Sequence, residues 1–214
     1  NFRRRVKEAK FAWLSANFVE LDKTACDPLK DDSCNALGQK TVFKPRAIFQ
    51  RNGAKVCVIG ATTPNTPRIT NQLFIRGMRF EELQPVVIAE AKFLKEKERC
   101  DFTILMVHAG LICDKNEQCQ QPGDLAEILY LLKALPTGTI SAVVAGHTHM
   151  KAREIINGVP VIEAGCYGKQ VGVLHLYREK AARFEHWVDV ADAATAPEVT
   201  KILRPYREEA FELK

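Results

Sequence analysis

The chain has 214 residues, of which 46% are hydrophobic and 27% are charged, enough to bury a sizeable core and form one domain or the greater part of one. Its formal net charge of +5 is modest, and the basic clusters at 3–5 and 92–97 are typical of solvated helix faces rather than of a nucleic-acid surface. No apolar stretch approaches the roughly 20 residues of a membrane-spanning helix.

Hydrophobic periodicity and turn residues predict the elements in chain order. Two Asn-Gly pairs, at 52–53 and 157–158, each predict a β-hairpin. Pro160 suggests that its strand lies at a sheet edge. The predicted elements are a helix at 3–10, a strand at 12–16, a hairpin of 47–50 and 55–59, a helix at 81–98, a strand at 102–107, a helix at 123–135, a strand at 140–145, a hairpin of 154–156 and 159–162, an antiparallel pair of 171–177 and 184–190, and an exposed helix at 197–213.

Two near-continuous apolar runs, 102–107 and 140–145, have the pattern of strands buried on both faces, and the helix between them predicts that they are parallel. The first run is followed by His108, and the second by Gly146, His147 and His149. If the strands are neighbours about 4.8 Å apart, their carboxyl ends carry the three imidazoles into one crevice. Imidazole is a common ligand of zinc, manganese and iron, so these three residues are predicted to bind metal.

The other polar candidates are weaker. His175 and His186 lie inside alternating strand patterns with no glycine to aim them, so both are interpreted as structural. Neutral imidazoles cannot offset the charge of two dications, so a two-metal site also requires carboxylates. Among the nearby acids, Glu163 alone ends a strand on the same side as the histidines. It is predicted to support the ligands, the alternative being a solvent-facing side chain.

Seven cysteines bear on the compartment. Cys26 and Cys34 bracket one short polar loop, and Cys113 and Cys119 bracket another, which predicts two disulfides and an oxidising compartment. The alternative is four unrelated thiols in a cytosolic protein. Cys57 and Cys166 are interpreted as small core residues, and Cys100 is undecided. The absence of C-x-x-C spacing argues against a zinc-thiolate site.

Five segments, in this order and spacing, resemble the 5′-nucleotidase branch of the calcineurin-like metallophosphoesterases: FAWLSAN at 11–17, VIGATTP at 58–64, VHAG at 107–110, GHTH at 146–149 and AGCYGK at 164–169. The resemblance covers residues 1–190. It implies an α/β fold, the αββα sandwich of mixed sheets, with two divalent metal ions such as zinc or manganese at the strand ends. By motif position, His108 and His147 resemble ligands of one ion and His149 a ligand of the other, while Tyr167 and Lys169 lie on the next strand-end loop and are candidates for the rim.

The family's Asp-x-His motif, bridging Asp and Gly-Asn-His motif have no counterpart here, so four further ligands and the proton-donating histidine are expected upstream of Asn1. The fold is then incomplete at its amino-terminal side. Residues 1–191 are predicted to be part of the catalytic domain, and 192–214 a linker helix toward an absent C-terminal substrate-binding domain.

The resemblance implies hydrolysis of phosphate monoesters, nucleoside 5′-monophosphates above all, by a metal-bound hydroxide. The alternatives are a 2′,3′-cyclic nucleotide phosphodiesterase, a thiosulfohydrolase, or a non-catalytic remnant that lacks the upstream ligands. The expected partners are a small phosphate ester and the missing amino-terminal part of the same domain, with no nucleic acid polymer and no membrane span. A periplasmic or secreted location is expected, and the 214 residues alone are expected to be inactive.

Overall fold

The structure, a computed structural model, describes residues 2–21, 25–116, 118–190 and 193–212. Its helices are α1 (Phe2–Glu8), α2 (Thr66–Ile69), α3 (Leu83–Phe93), α4 (Glu127–Ala134) and α5 (Pro197–Glu212), with a 3-10 turn at Gln72–Ile75 and a π-helical turn at Leu94–Glu98. Its strands are β1 (Phe18–Glu20), β2 (Arg46–Arg51), β3 (Ala54–Thr62), β4 (Met78–Phe80), β5 (Phe102–His108), β6 (Ala142–Val144), β7 (Lys151–Ile156), β8 (Val159–Ala164), β9 (Gln170–Val171), β10 (Leu174–His175), β11 (Arg183–Phe184) and β12 (Val188–Asp189).

A six-stranded mixed sheet forms the centre of the molecule, in the order β2-β3-β5-β6-β8-β7. The four inner strands β3, β5, β6 and β8 are parallel, while β2 and β7 are antiparallel edges formed by the two hairpins. The mixed α/β architecture and both predicted Asn-Gly hairpins are confirmed. The parallel order brings the carboxyl ends of β3, β5, β6 and β8 to one edge of the sheet.

The two faces of this sheet differ. On one face, Leu105 and Val107 of β5 are buried with apolar residues of α3 and α4, such as Val87 and Leu132. On the other face, Met106 is 45% exposed and its strand neighbour Val144 is 43% exposed. Helices therefore cover one side, and the described residues leave much of the opposite side open.

Some predicted elements differ from the structure in detail. The segment 12–16 forms an isolated bridge from Leu14 to Lys44, and the strand begins later, at Phe18. The helix predicted over 123–135 begins at Glu127, because 123–126 form a turn. Pro160 lies in β8, an inner strand, so the edge prediction is wrong. The β6 ladder reaches only Val161 and Ile162 of β8, which leaves the Pro160 position without a partner on that side. Leu213, the last residue of the predicted helix 197–213, lies outside the described residues.

The contacts of Asn17 explain part of the motifs at 11–17 and 58–64. Its buried amide donates to the carbonyl oxygens of Thr62 (2.8 Å) and Glu81 (2.9 Å), and its Oδ1 accepts from the Thr62 backbone N–H (2.9 Å). Beside it, a Cβ at Gly60 would lie 2.2 Å from the Cβ of Leu14, so only glycine allows this approach. These contacts fix the chain against the carboxyl end of β3.

A buried ion pair anchors the first polar loop, the one that Cys26 and Cys34 bracket, to α3. Arg46 Nη1 lies 2.5 Å from Glu90 Oε2, with side-chain exposures of 10% and 0%. The Ala36 backbone N–H donates to Glu90 Oε1 at 2.6 Å, and the Arg46 guanidinium stacks 4.0 Å above the ring of Phe93. Burial raises the pKa of Glu90, an effect that the charge of Arg46 opposes.

The structure contains three disulfides. Two of them, Cys26–Cys34 and Cys113–Cys119, close the two polar loops as expected. The third joins Cys57 of β3 to Cys100, so Cys57 is a buried core residue, as interpreted, but it also forms a disulfide that was not predicted. No short loop in the sequence indicates this pair, because 43 positions separate the two cysteines and only the pairing of β3 with β5 brings them together. Cys166 remains a free thiol.

No helix within the described ranges is both long and apolar enough to cross a bilayer.

The Glu90→Ala substitution is expected to lower the free energy of unfolding by about 3–5 kcal/mol, because it leaves the Arg46 charge buried and unpaired. Urea unfolding of the native protein measures this. The control is Glu96→Ala, which removes an exposed partner 4.0 Å from Lys92 and is expected to change stability by less than about 0.5 kcal/mol. Equal effects of the two substitutions would contradict a structural role for the buried pair.

Thiol titration tests the disulfides. The denatured, unreduced 214-residue chain is expected to expose one reactive thiol, that of Cys166, and seven after reduction. Cys166→Ser serves as the control, since it should abolish the thiol measured without reductant. Three or more thiols in the unreduced chain would show that at least one of the three bonds does not form.

Candidate metal centre

The ends of β5 and β6 bring two of the predicted ligands together. Met106 and Val144 are partners in the parallel ladder, so His108 at the end of β5 and His147, three residues beyond β6, emerge at the same edge. His147 Nδ1 lies 3.1 Å from His108 Nε2, and the ring centroids are 4.8 Å apart.

This separation fits a shared cation. Two lone pairs cannot face each other at 3.1 Å without repulsion, so either a proton or a cation must lie between the nitrogens. Two nitrogens that bind the same metal at about 2.0–2.1 Å lie roughly 2.8–3.4 Å apart at octahedral or tetrahedral angles. The pair therefore fits part of a metal site, as well as a simple hydrogen bond.

His149 has a different neighbour. Its ring meets the ring of Tyr167 edge-on at 5.3 Å. Across the ranges that the structure describes, no three His, Cys, Asp or Glu side chains come together as a potential metal site. His149 nonetheless lies close enough for its charge to lower the pKa of His108. The structure thus joins two of the three imidazoles directly and places the third nearby.

The backbone of this loop is strained. His147 has φ of +81° and His149 has φ of +63°, the left-handed region that residues with a Cβ rarely adopt. Each such residue costs about 1–3 kcal/mol, and it persists only where its surroundings hold it. Strain of this kind concentrates at binding sites. The positive φ values of this loop thus fall on the two histidines and not on Gly146.

Glu163 lies beneath both histidine loops. It is 1% exposed, and its Oε1 accepts from Thr148 Oγ1 (2.8 Å) and from the Met150 backbone N–H (3.3 Å). Its Oε2 accepts from the Leu111 backbone N–H (3.2 Å). Burial raises the pKa of Glu163, while these hydrogen bonds oppose the rise. The carboxyl group is thus a buried anchor for the loops and not the solvent-facing side chain of the alternative interpretation.

Glycine permits this close packing. A Cβ at Gly110 would lie 2.2 Å from Thr148 Oγ1, 2.6 Å from the Gly146 carbonyl oxygen and 2.7 Å from Glu163 Oε2. The Gly146 backbone N–H also donates to the Ala109 carbonyl at 3.1 Å. The loop after β5 and the loop after β6 therefore touch without intervening side chains.

Two supporting residues were not predicted from the sequence. Thr63 donates its backbone N–H to the His108 carbonyl at 3.0 Å and its hydroxyl to Glu127 Oε1. The other oxygen of Glu127 is buried and has no hydrogen-bond partner in the described structure. The position of Thr63 directly after β3 was the available signal. Nothing in the sequence indicated the role of Glu127, because it lies on a helix 64 positions after Thr63.

Tyr167 and Lys169 lie at the surface beside this centre. Tyr167 is 81% exposed, and the Lys169 Nζ lies 5.8 Å from its ring centroid. Tyr167 also has a positive φ, of +61°. The loop after β8 thus presents an aromatic ring and a cation next to His149.

The pKa of His108 is lowered, first by burial and then by the nearby positive charges of His147 and His149. A lowered pKa favours the neutral imidazole, which is the form that binds metals.

Known proteins share this sequence and fold in part. A 5′-nucleotidase of Vibrio cholerae is 32% identical over 155 residues, which is 62% of this chain and 27% of that protein. A proposed 5′-nucleotidase from Staphylococcus aureus superposes with a TM-score of 0.71 at 21% identity, over 97% of this chain and 38% of its own. The calcineurin-like phosphoesterase YfkN from Bacillus subtilis superposes with a TM-score of 0.65 at 17% identity, over 97% of this chain and 65% of its own.

No family model matches the sequence. The chain spans about a quarter of the length of the Vibrio relative. The solved structures share the fold of this chain, and the sequence relatives support the resemblance of its five motifs to the 5′-nucleotidase branch of the calcineurin-like metallophosphoesterases.

Proposed function

We propose that the chain is part of a two-metal hydrolase of phosphate monoesters, with nucleoside 5′-monophosphates as substrates. The observation that carries this proposal is the 3.1 Å approach of His108 Nε2 and His147 Nδ1 at neighbouring strand ends. The relatives named 5′-nucleotidase support the substrate class. Metal identity is left to measurement, since imidazole suits both zinc and manganese.

Each residue has a proposed role. His108 and His147 hold one ion, and His149 contributes to the second. When bound, the two ions supply a water of lowered pKa and neutralise the phosphoryl oxygens. Lys169, exposed on the rim, attracts the phosphate, and the exposed ring of Tyr167 offers a surface against which a base can stack. The proton for the leaving oxygen comes from a histidine in another part of the protein.

The remaining ligands are proposed to come from the part of the same catalytic domain that precedes this chain. The open face of the sheet supports this, because Phe49, Met106 and Val144 are each more than 40% exposed. A groove of about 480 Å³ on the same side is lined mainly by apolar residues, among them Val56, Phe102 and Ile104. Covering this face with a second sheet would bury it and complete an αββα sandwich around the histidines.

The carboxyl-terminal residues are proposed to lead to another domain. Within α5, Val199, Ile202, Leu203 and Tyr206 are exposed at helical spacing and form an apolar stripe. We take residues 1–191 as the catalytic part and 192–214 as a linker helix to a substrate-binding domain. The three disulfides support a periplasmic or secreted location, since such bonds persist in oxidising compartments.

Metal content and turnover test the proposal. The longest native chain that contains these residues is expected to bind about two divalent ions and to release phosphate from AMP. His108→Ala and His147→Ala should each lower kcat/KM at least 100-fold and reduce the bound metal. His186→Ala is the matched control and should leave both unchanged, because this exposed histidine lies outside the centre.

Three outcomes would contradict the proposal. One is a native chain without metal or phosphatase activity, and another is steady AMP hydrolysis by the 214 residues alone. The third is a clear preference for 2′,3′-cyclic nucleotides or thiosulfonates over AMP, which would keep the metal centre but replace the substrate.

The lowered pKa of His108 predicts a pH effect in the metal-free protein. Its imidazole should titrate below 6.5, and His147→Ala should move the midpoint back toward 6.5 by removing a positive neighbour. Because the unfolded chain binds this proton more readily, the stability contribution of His108 is complete above pH 6.5. It is lost as the pH falls through the folded-state pKa. NMR titration of the imidazole proton measures this, and a midpoint at or above 6.5 would contradict it.

A further inference from the structure

The strained histidines alternate with residues that a single carboxyl group holds. Thr148 follows His147, and Met150 follows His149. Thr148 donates its hydroxyl to Glu163 Oε1, and Met150 donates its backbone N–H to the same oxygen. The residue after each left-handed histidine is therefore tied to one buried atom.

The second carboxyl oxygen reaches the other loop. Glu163 Oε2 accepts from the backbone N–H of Leu111, three residues after His108. Each carboxyl oxygen thus accepts from a backbone N–H, and the Thr148 hydroxyl adds a third bond to Oε1. The group cannot relax away from the loops, because its residue is 1% exposed within β8.

We propose that Glu163 and Thr148 form a clamp that positions His147 and His149 for metal binding. The clamp consists of the Glu163 carboxylate together with its three donors, Thr148 Oγ1 and the backbone N–H groups of Leu111 and Met150. It holds the left-handed backbone at 147 and 149 and sets the distance of that loop from His108. Without it, the loop relaxes to ordinary negative φ and the two imidazoles turn out of place. This inference deepens the proposed function and rests on it for the metal.

Both members are positioning residues, since they act through the histidines. Groups that orient metal ligands typically contribute 10–100-fold to metal affinity. A role confined to stability would instead lower the melting temperature and leave the affinity of the folded protein unchanged. Metal affinity and loop conformation therefore separate the two roles.

The test uses the longest native chain with Mn²⁺ as the probe. Thr148→Val keeps the β-branched shape but loses the hydroxyl, and Glu163→Ala removes the acceptor. Each is expected to weaken Mn²⁺ binding about 10–100-fold. Thr148→Ser keeps the hydroxyl and should stay within about threefold of the wild type. Glu163→Gln keeps one acceptor oxygen for Thr148 and Met150 but sets an amide NH2 against the Leu111 N–H, so its affinity should fall between those of the wild type and Glu163→Ala.

Thr139→Val is the matched control. Its hydroxyl also bonds a backbone carbonyl, that of Pro136, but in the turn before β6, at the opposite end of that strand from the histidines. It should leave Mn²⁺ affinity unchanged. The double variant Glu163→Ala with Thr148→Val should bind no more weakly than the weaker single variant, because both substitutions break the same clamp.

A metal-independent measurement separates this inference from the proposed function. In crystals of the metal-free native chain, the wild type should keep positive φ at residues 147 and 149, and Thr148→Val should lose it at one or both. A wild type that binds no Mn²⁺ would overturn the proposed function. A wild type that binds Mn²⁺, with Thr148→Val unchanged in both affinity and φ, would overturn the clamp alone.

Discussion

Parallel pairing of β5 with β6 is the constraint on which the candidate centre depends. It forces the residues after both strands to one edge of the sheet, so that His108 and His147 meet although 39 positions separate them. Without the sheet, neither imidazole would have a fixed position relative to the other. The disulfide from Cys57 to Cys100 constrains the neighbouring pairing of β3 with β5, because it joins β3 to the segment that enters β5.

The loops at this edge hold conformations that lower the stability of the fold. Two non-glycine residues in the left-handed region, a buried carboxyl group and a glycine with no room for a Cβ all occur within two short loops. Each is unfavourable or restrictive alone. Their occurrence together is consistent with loops shaped to bind a ligand, since a loop that only connects two elements does not require these features.

The sequence predicts the elements better than their surroundings. Apolar runs and Asn-Gly pairs place the strands and hairpins well, because they depend on local periodicity and turn chemistry. The third disulfide and the roles of Thr63 and Glu127 could not be foreseen, since they depend on which strands become neighbours. Glu163 was found through its place at a strand end, but its three donors come from loops distant in sequence. His149 shows what residue spacing alone does not predict. The H-x-H pattern predicts that this histidine lies near the centre. Its backbone is left-handed, however, and its ring contacts Tyr167.

The position of metal in the complete protein tests most sharply whether the strand-end histidines form the centre. Crystals of the longest native chain grown with Mn²⁺ or Zn²⁺, with the ions located by anomalous scattering, would show which nitrogens bind. We expect one ion bound to both His108 Nε2 and His147 Nδ1, with His149 at a second ion. An ion bound elsewhere, or the two nitrogens still joined only by a proton in the presence of saturating metal, would contradict it.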